Sequence, residues 1–239
     1  MPSIRDDQHW DLYEWPKDGD EWADQAEFSG VPYPTWKQDL VDCFLLSNIP
    51  ANADVLEIGV GHGRWTPYLS QPGRRYTGID TSRSCVEYCR KRFADLPQTR
   101  FHKNDGSHLM RIRSGTVDFV WSFDTFVHID EVVTATYLGE IARVLSPTGR
   151  ACIHHPGAPD QLQRKLGWRS ALTAVGFRRL AHAAGLTVVS QTDSWGPHHR
   201  SNTRRWSDCI TTLQRTRTRA SDVTDHEASE SDAPAPLEE

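Results

Sequence analysis

The sequence predicts an α/β fold: a mostly parallel sheet of seven strands flanked by helices, with an N-terminal helical cap. Two observations carry this. From Asp54 onward short apolar runs alternate with amphipathic helical patterns, and a glycine-dense turn follows the first of those runs. The strands fall at Val55–Ile58, Tyr76–Ile79, Arg100–His102, Phe119–Ser122 and Arg150–His154, with two more near Thr187–Val189 and Ser207–Leu213. Helices are expected at Arg64–Ser70, Ser84–Phe93, Val132–Val144 and Ala171–Ala184. Their ends are marked: Leu145-Ser146-Pro147-Thr148-Gly149 stops one helix and Ala184-Gly185 another, with Gly and Pro where helices terminate. Pro156–Leu166 and Ser194–Arg205 read as polar loops.

The chain of 239 residues divides into an N-terminal extension (1–50) with a helix over Thr35–Leu46, one α/β domain (51–215), and an acidic tail (216–239). The tail lacks aromatic residues and has almost nothing large and apolar, so it cannot offset its ordering entropy and is expected to be disordered. No apolar run approaches the about 20 residues that cross a bilayer, and the start lacks a secretory layout, so a cytoplasmic protein without a membrane partner is expected. Five cysteines show no zinc spacing and are expected as free thiols. A net charge of -5 argues against general nucleic-acid binding. Residues 1–30 hold nine acidic side chains interleaved with Trp10, Tyr13, Trp15 and Trp22.

Glycines carry the chemistry of the first turn. In Leu56-Glu57-Ile58-Gly59-Val60-Gly61-His62-Gly63-Arg64-Trp65 a buried strand enters a G-x-G-x-G turn, where the backbone must bend sharply and a ligand must approach it closely. A dinucleotide fingerprint would place its third glycine one residue later. Asp80 ends the second strand, 23 residues after Glu57, where a carboxylate can accept from both hydroxyls of a ribose. Asp105 follows the third strand and can accept from an exocyclic amine.

Taken in order, LEIGVGHGRW, YTGID, NDG, VDFVWSFDTFVHI and RVLSPTGRACIHH resemble the motifs of class I S-adenosylmethionine (SAM)-dependent methyltransferases, from about Asp54 to Leu213. The resemblance implies the Rossmann-like methyltransferase fold, SAM as cofactor and S-adenosylhomocysteine (SAH) as product. It implies that Gly59, Gly61 and Gly63 line the cofactor, that Glu57 braces the turn or holds the amino group, that Asp80 holds the ribose, and that Asp105 and Gly106 frame the adenine. Trp65, Thr81, Asn104 and Phe123 are expected beside them, with Tyr33 and Trp36 reaching over from the extension.

Methyl transfer depends first on alignment and water exclusion and then, for some acceptors, on a base. Asp124, His128 and His155 leave the fourth and fifth strands and are the candidate catalytic groups. Strand alternation sends His154 and His155 to opposite faces; His155, as the residue leaving the strand, is favoured. A metal site from Asp124, His128 and Asp130 is not invoked, because nothing in the spacing fixes a coordination geometry.

VLEIGVGHGRWTPYL, RACIHHPG and WSDCITTLQR are similar to a branch that methylates sugars and antibiotic glycosides. The acceptor is therefore expected to be a small polar molecule, best an aminosugar or aminoglycoside in antibiotic biosynthesis, methylated on nitrogen or oxygen. Trp10, Tyr13, Trp15, His154 and His199 are the expected substrate contacts, with ring faces and acids attracting ammonium groups. O-methylation of a neutral sugar, an NAD-dependent oxidoreductase and a non-catalytic SAM-binding module are the competing readings.

Overall fold

In the computed structural model, which describes residues 7–16, 20, 22–23, 29–158 and 169–216, seven strands form one sheet in the order β3-β2-β1-β4-β5-β9-β6. The strands of that sheet are β1 (Asp54–Ile58), β2 (Arg75–Asp80), β3 (Thr99–Lys103), β4 (Val117–Ser122), β5 (Leu145–Pro156), β6 (Leu186–Thr192) and β9 (Asp208–Arg215). β1 to β5 pair in parallel, and β9 inserts antiparallel between β5 and β6. This is the fold class read from the sequence. Residues 217–239, most of the expected acidic tail, and 159–168, most of the stretch Pro156–Leu166 expected as a polar loop, lie outside the described residues.

The chain order reverses at β1, from which β2 and β3 run to one side and β4 and β5 to the other. A crevice therefore opens beyond the carboxyl ends of β1, β2 and β4, the place where open α/β sheets bind ligands. Each face of the sheet carries its own core. Val55, Tyr76, Phe119, Trp121 and Cys152 bury on one face against Trp36, Leu40 and Phe44. Leu56, Ile58, Val120, Ala151 and Ile153 bury on the other against Leu138, Ile141 and Phe177. Burial on both faces explains why these strands read as continuous apolar runs.

Helix boundaries follow local chemistry. α1 spans Asp7–Leu12, α2 Tyr33–Leu40, α3 Thr66–Leu69, α4 Arg83–Arg92, α5 Glu131–Val144 and α6 Ala174–Ala183. Ser82, Asp130 and Thr173 precede α4, α5 and α6, and each side chain accepts the N–H of the residue three places on, a cap worth about 1 kcal/mol.

Three expectations change. The helix expected over Arg64–Ser70 shrinks to the single turn α3, because the glycine turn extends through Gly63 and Trp65 is the N-cap. Leu145–Gly149 stops α5 but is no free loop: Leu145 already pairs with Val117, and β5 begins there. Within the stretch read as the loop Ser194–Arg205, β7 (Ser194–Trp195) and β8 (Ser201–Asn202) form a small ribbon, tied to α2 by Asp39, which accepts from Arg200 and Ser201.

Candidate active site

The turn after β1 is fastened to β2. The N–H groups of Gly59 and Val60 both donate to the Ile79 carbonyl, at 2.9 and 3.1 Å. Gly61 donates its N–H to Asp80 Oδ2 at 2.8 Å, and Ser82 N–H donates to Asp80 Oδ1 at 2.9 Å. Asp80 thus clasps the glycine turn and the start of α4 together, with its carboxylate on the wall of a cavity of about 260 Å³.

Gly59 and Gly61 line that cavity at positive φ. A Cβ at 59 would lie 1.9 Å from Thr125 Oγ1, so any side chain there would strain the backbone and displace Thr125. Gly63 is a correction: it does not line the cavity, and a Cβ there would strike the Phe93 ring at 2.4 Å, so this glycine serves packing against the end of α4. Glu57 also stands away from the wall. It is buried, accepts from the Tyr76 hydroxyl at 2.5 Å, and has Thr66 Oγ1 3.5 Å away. Burial pushes its carboxyl up to about 8, so at neutral pH it is mostly the neutral acid, held against Tyr76 of β2 and Thr66 of α3.

On the β2–β3 side the cavity is lined by Thr81, Asn104, Asp105 and Gly106. Asn104 donates to the Tyr137 hydroxyl at 2.8 Å, while its buried Oδ1 has no hydrogen-bond partner among the described residues. Asp105 is less available than the sequence suggests. Its Oδ1 accepts from the N–H groups of Ser107 and His108, and its Oδ2 lies 2.8 Å from His108 Nδ1. Burial works against the charge, but those bonds hold the carboxyl at about 2. The unoccupied acceptor here is Asn104, a residue the sequence placed only beside Asp105.

At the other end stand Trp65, Phe123, Asp124 and His128, with Arg64 and the extension's Trp10 and Trp15. Asp124 has φ 63, a left-handed backbone rare outside glycine. Its N–H donates to His154 Nδ1 at 3.1 Å, and its carboxylate accepts from the Trp22 indole at 2.6 Å. Arg64 and Arg169 lie 4.0 and 3.9 Å from that carboxylate, and His128 Nε2 lies 4.0 Å away. Burial draws the Arg64 guanidinium down to about 10, against the pull of Asp124 and Asp20.

The histidine pair resolves by strand parity. His154 lies with Cys152 on the Trp121 face, buried under the site and stacked on Phe123 at 4.2 Å. Burial, then Arg169, pushes its pKa well down; with Nδ1 accepting, the ring is the neutral Nε2–H tautomer, turned toward Asp208 Oδ2 at 3.5 Å. His155, expected as a base, points to the opposite face. It stacks on Phe177 at 3.6 Å, bonds Thr211 Oγ1 at 2.7 Å, and is held down to about 3 by burial. It has no access to the cavity.

The aromatic residues of the extension divide differently from expectation. Tyr33 and Trp36 are absent from the cavity wall: Trp36 is fully buried, stacks on Trp22 at 5.4 Å and donates to the Asn202 carbonyl, while Tyr33 bonds Asp20. Trp10 and Trp15 take that place, with Tyr13 edge-on to both but off the wall. His199 sits in the β7–β8 ribbon beside Ser194, away from the cavity. The network of Arg169, Asp208 and Trp22 was missed, since nothing local marks residues joined across such sequence distances.

Residues 55–149 match the family model of a methyltransferase domain. Over 157 residues the chain is 26% identical to the biotin biosynthesis bifunctional protein BioHC of Cellvibrio japonicus, covering 64% of this chain and 30% of that protein. Such alignments span about a third of the length of the curated relatives. A TehB-like SAM-dependent methyltransferase from Corynebacterium glutamicum superposes with a TM-score of 0.56 at 19% identity, covering 81% of this chain and 99% of that one. The geranyl diphosphate C-methyltransferase of Streptomyces coelicolor, in complex with SAH, superposes with a TM-score of 0.64 at 13% identity, covering 88% and 97%. The chain has the fold of the class I methyltransferases. Among the described residues no helix is long and apolar enough to cross a membrane.

Proposed function

We propose that this protein is a SAM-dependent methyltransferase that acts on a small polar acceptor. The observation that carries the reading is the clasp of Gly61 and Asp80 on the wall of one cavity, within a segment matching a methyltransferase domain. The residues present fit the cofactor. Asp80 offers two carboxylate oxygens to a ribose diol, the buried and unpartnered Asn104 Oδ1 suits the exocyclic amine of adenine, and Gly59 and Gly61 put bare backbone on the cavity wall. When bound, SAM supplies an electrophilic methyl carbon on a positive sulfur.

The protein's own part is alignment and exclusion of water. Phe123 and Trp65 wall the cavity from below, and Trp10 and Trp15 from the extension. Ordering of this kind accounts for as much as about 7–11 kcal/mol of barrier in well-aligned reactions. Asp124 accepts a hydrogen bond from the acceptor's amine or hydroxyl, and His128, beside it, takes the proton released. A cationic acceptor, an aminosugar of the aminoglycoside type met in antibiotic biosynthesis, is supported by a carboxylate set among indole faces. O-methylation of a neutral sugar is the second reading, favoured by Arg64, which lines the same cavity and offsets the charge of Asp124.

Incubation with SAM and a panel of aminosugars and neutral glycosides tests both, read as a mass gain of one methyl group. Gain on amines alone supports the first reading, and equal gain on neutral glycosides the second. SAH should raise the melting temperature and NAD should not; the reverse would sink the proposal. SAH binding with no methyl transfer to any acceptor would leave a binding module.

A further inference from the structure

We infer that the N-terminal segment completes the cofactor site, with the Trp15 indole N–H donating to an oxygen of the bound cofactor and Asp11 latching the segment in place. This rests on the methyltransferase reading.

Trp15 lies on the glycine turn itself. A Cβ at Gly61 would stand 2.8 Å from Trp15 Cη2 and Cζ3, so the ring covers the residue whose N–H binds Asp80. The indole is nearly parallel to His62 (5.0 Å, 20°), and His62 is stacked in turn on Tyr88 of α4 (3.8 Å, 10°). Burial, and then Arg92, holds the His62 imidazole down to about 4, so this ring ladder is uncharged at neutral pH. Trp15 lines the cavity, and its Nε1 is buried with no hydrogen-bond partner among the described residues. A buried N–H left without a partner is costly, and a cofactor oxygen against the glycine turn supplies one. Trp10, by contrast, lies against His128 at 5.1 Å, toward the acceptor end.

The segment is fastened four residues earlier. Asp11 Oδ1 accepts from Ser82 Oγ (2.6 Å), Ser84 N–H (3.1 Å) and Ser84 Oγ (3.1 Å) at the start of α4. Ser82 is the residue whose N–H also holds Asp80. Latch, ladder and ribose-side carboxylate thus share one support, and releasing a ligand held under Trp15 requires the latch to open.

The test is SAH binding by calorimetry and SAH release by stopped-flow fluorescence, on the full chain. Trp15→Phe keeps a ring on Gly61 and removes only the N–H, so the dissociation constant for SAH should rise about fivefold to tenfold with the acceptor KM unchanged. Asp11→Ala should speed SAH release several-fold. Melting curves of both variants without ligand establish that they fold. If Trp15→Phe binds SAH as the wild type does, or alters only the acceptor KM, the inference is overturned while the parent reading stands. If the wild type itself fails to bind SAH, both fall together.

Discussion

At the end of the cavity proposed for adenosine, the parts lie close together in the chain: Gly61 and Asp80 are 19 residues apart and joined by a hydrogen bond from the Gly61 N–H to the Asp80 carboxylate. At the acceptor end the parts come from far apart, as Trp22 and Asp124 do across 102 residues. One end is a backbone feature held by strand tips; the other is a side-chain assembly that exists only when the extension packs onto β4 and β5. Substitutions at the first end should therefore strike cofactor affinity, and at the second acceptor affinity and turnover.

The largest effect should follow Asp80→Ala. It removes the acceptor of the Gly61 and Ser82 N–H groups and the one proposed for the ribose, and charge-assisted hydrogen bonds are each worth about 1.5–3 kcal/mol. SAH affinity measured by calorimetry should fall about 100-fold. A loss below about fivefold would mean that the strand tip does not hold the cofactor.

The same division governs what the sequence disclosed. Buried parallel strands announce themselves as apolar runs, and a strand tip followed by glycine or an acid is a local signal, so the sheet, Gly59, Gly61 and Asp80 were all legible. Gly63 was not, because its need for hydrogen at Cα comes from Phe93 across the turn. Asp105 and Asn104 exchanged prominence through the N–H groups of Ser107 and His108, a loop detail that spacing cannot fix. Tyr33 and Trp36 gave way to Trp10 and Trp15 because composition says that rings will pack, not which path the chain takes. The fifth strand was placed correctly in its centre, yet the choice between His154 and His155 turned on parity at its end.

Glu57, buried behind the cavity wall, makes the stability of the fold depend on pH. Its folded carboxyl is raised from 4.5 to about 8, so the folded state holds more protons than the unfolded one between those values. Its contribution is full below about pH 4.5 and is lost as pH rises toward 8. His155, held down to about 3 from 6.5, acts the other way, adding stability as pH climbs between those values. The two oppose each other up to about pH 6.5, beyond which the Glu57 contribution acts without that opposition. Denaturant unfolding should therefore show about 1–2 kcal/mol lost between pH 6.5 and 8, and Glu57→Gln should flatten that slope. An unchanged slope in the variant would show that Glu57 is ionised in the fold.

The smallest effect on chemistry should come from the histidine that the sequence favoured. His155 lies on the Phe177 face of the sheet, bonded to Thr211 and stacked on an apolar ring. His155→Leu removes that stack and the ring nitrogen that accepts the Thr211 hydroxyl proton, which Gln191, a donor to the same oxygen, cannot replace, so the cost belongs to stability, about 1–3 kcal/mol. Turnover of the folded variant should stay within about twofold of the wild type, because a base must come within hydrogen-bond reach of the proton it takes. A tenfold loss of turnover with SAH affinity intact would break the distinction between the two faces of β5, and with it the assignment of the acceptor end to Asp124 and His128.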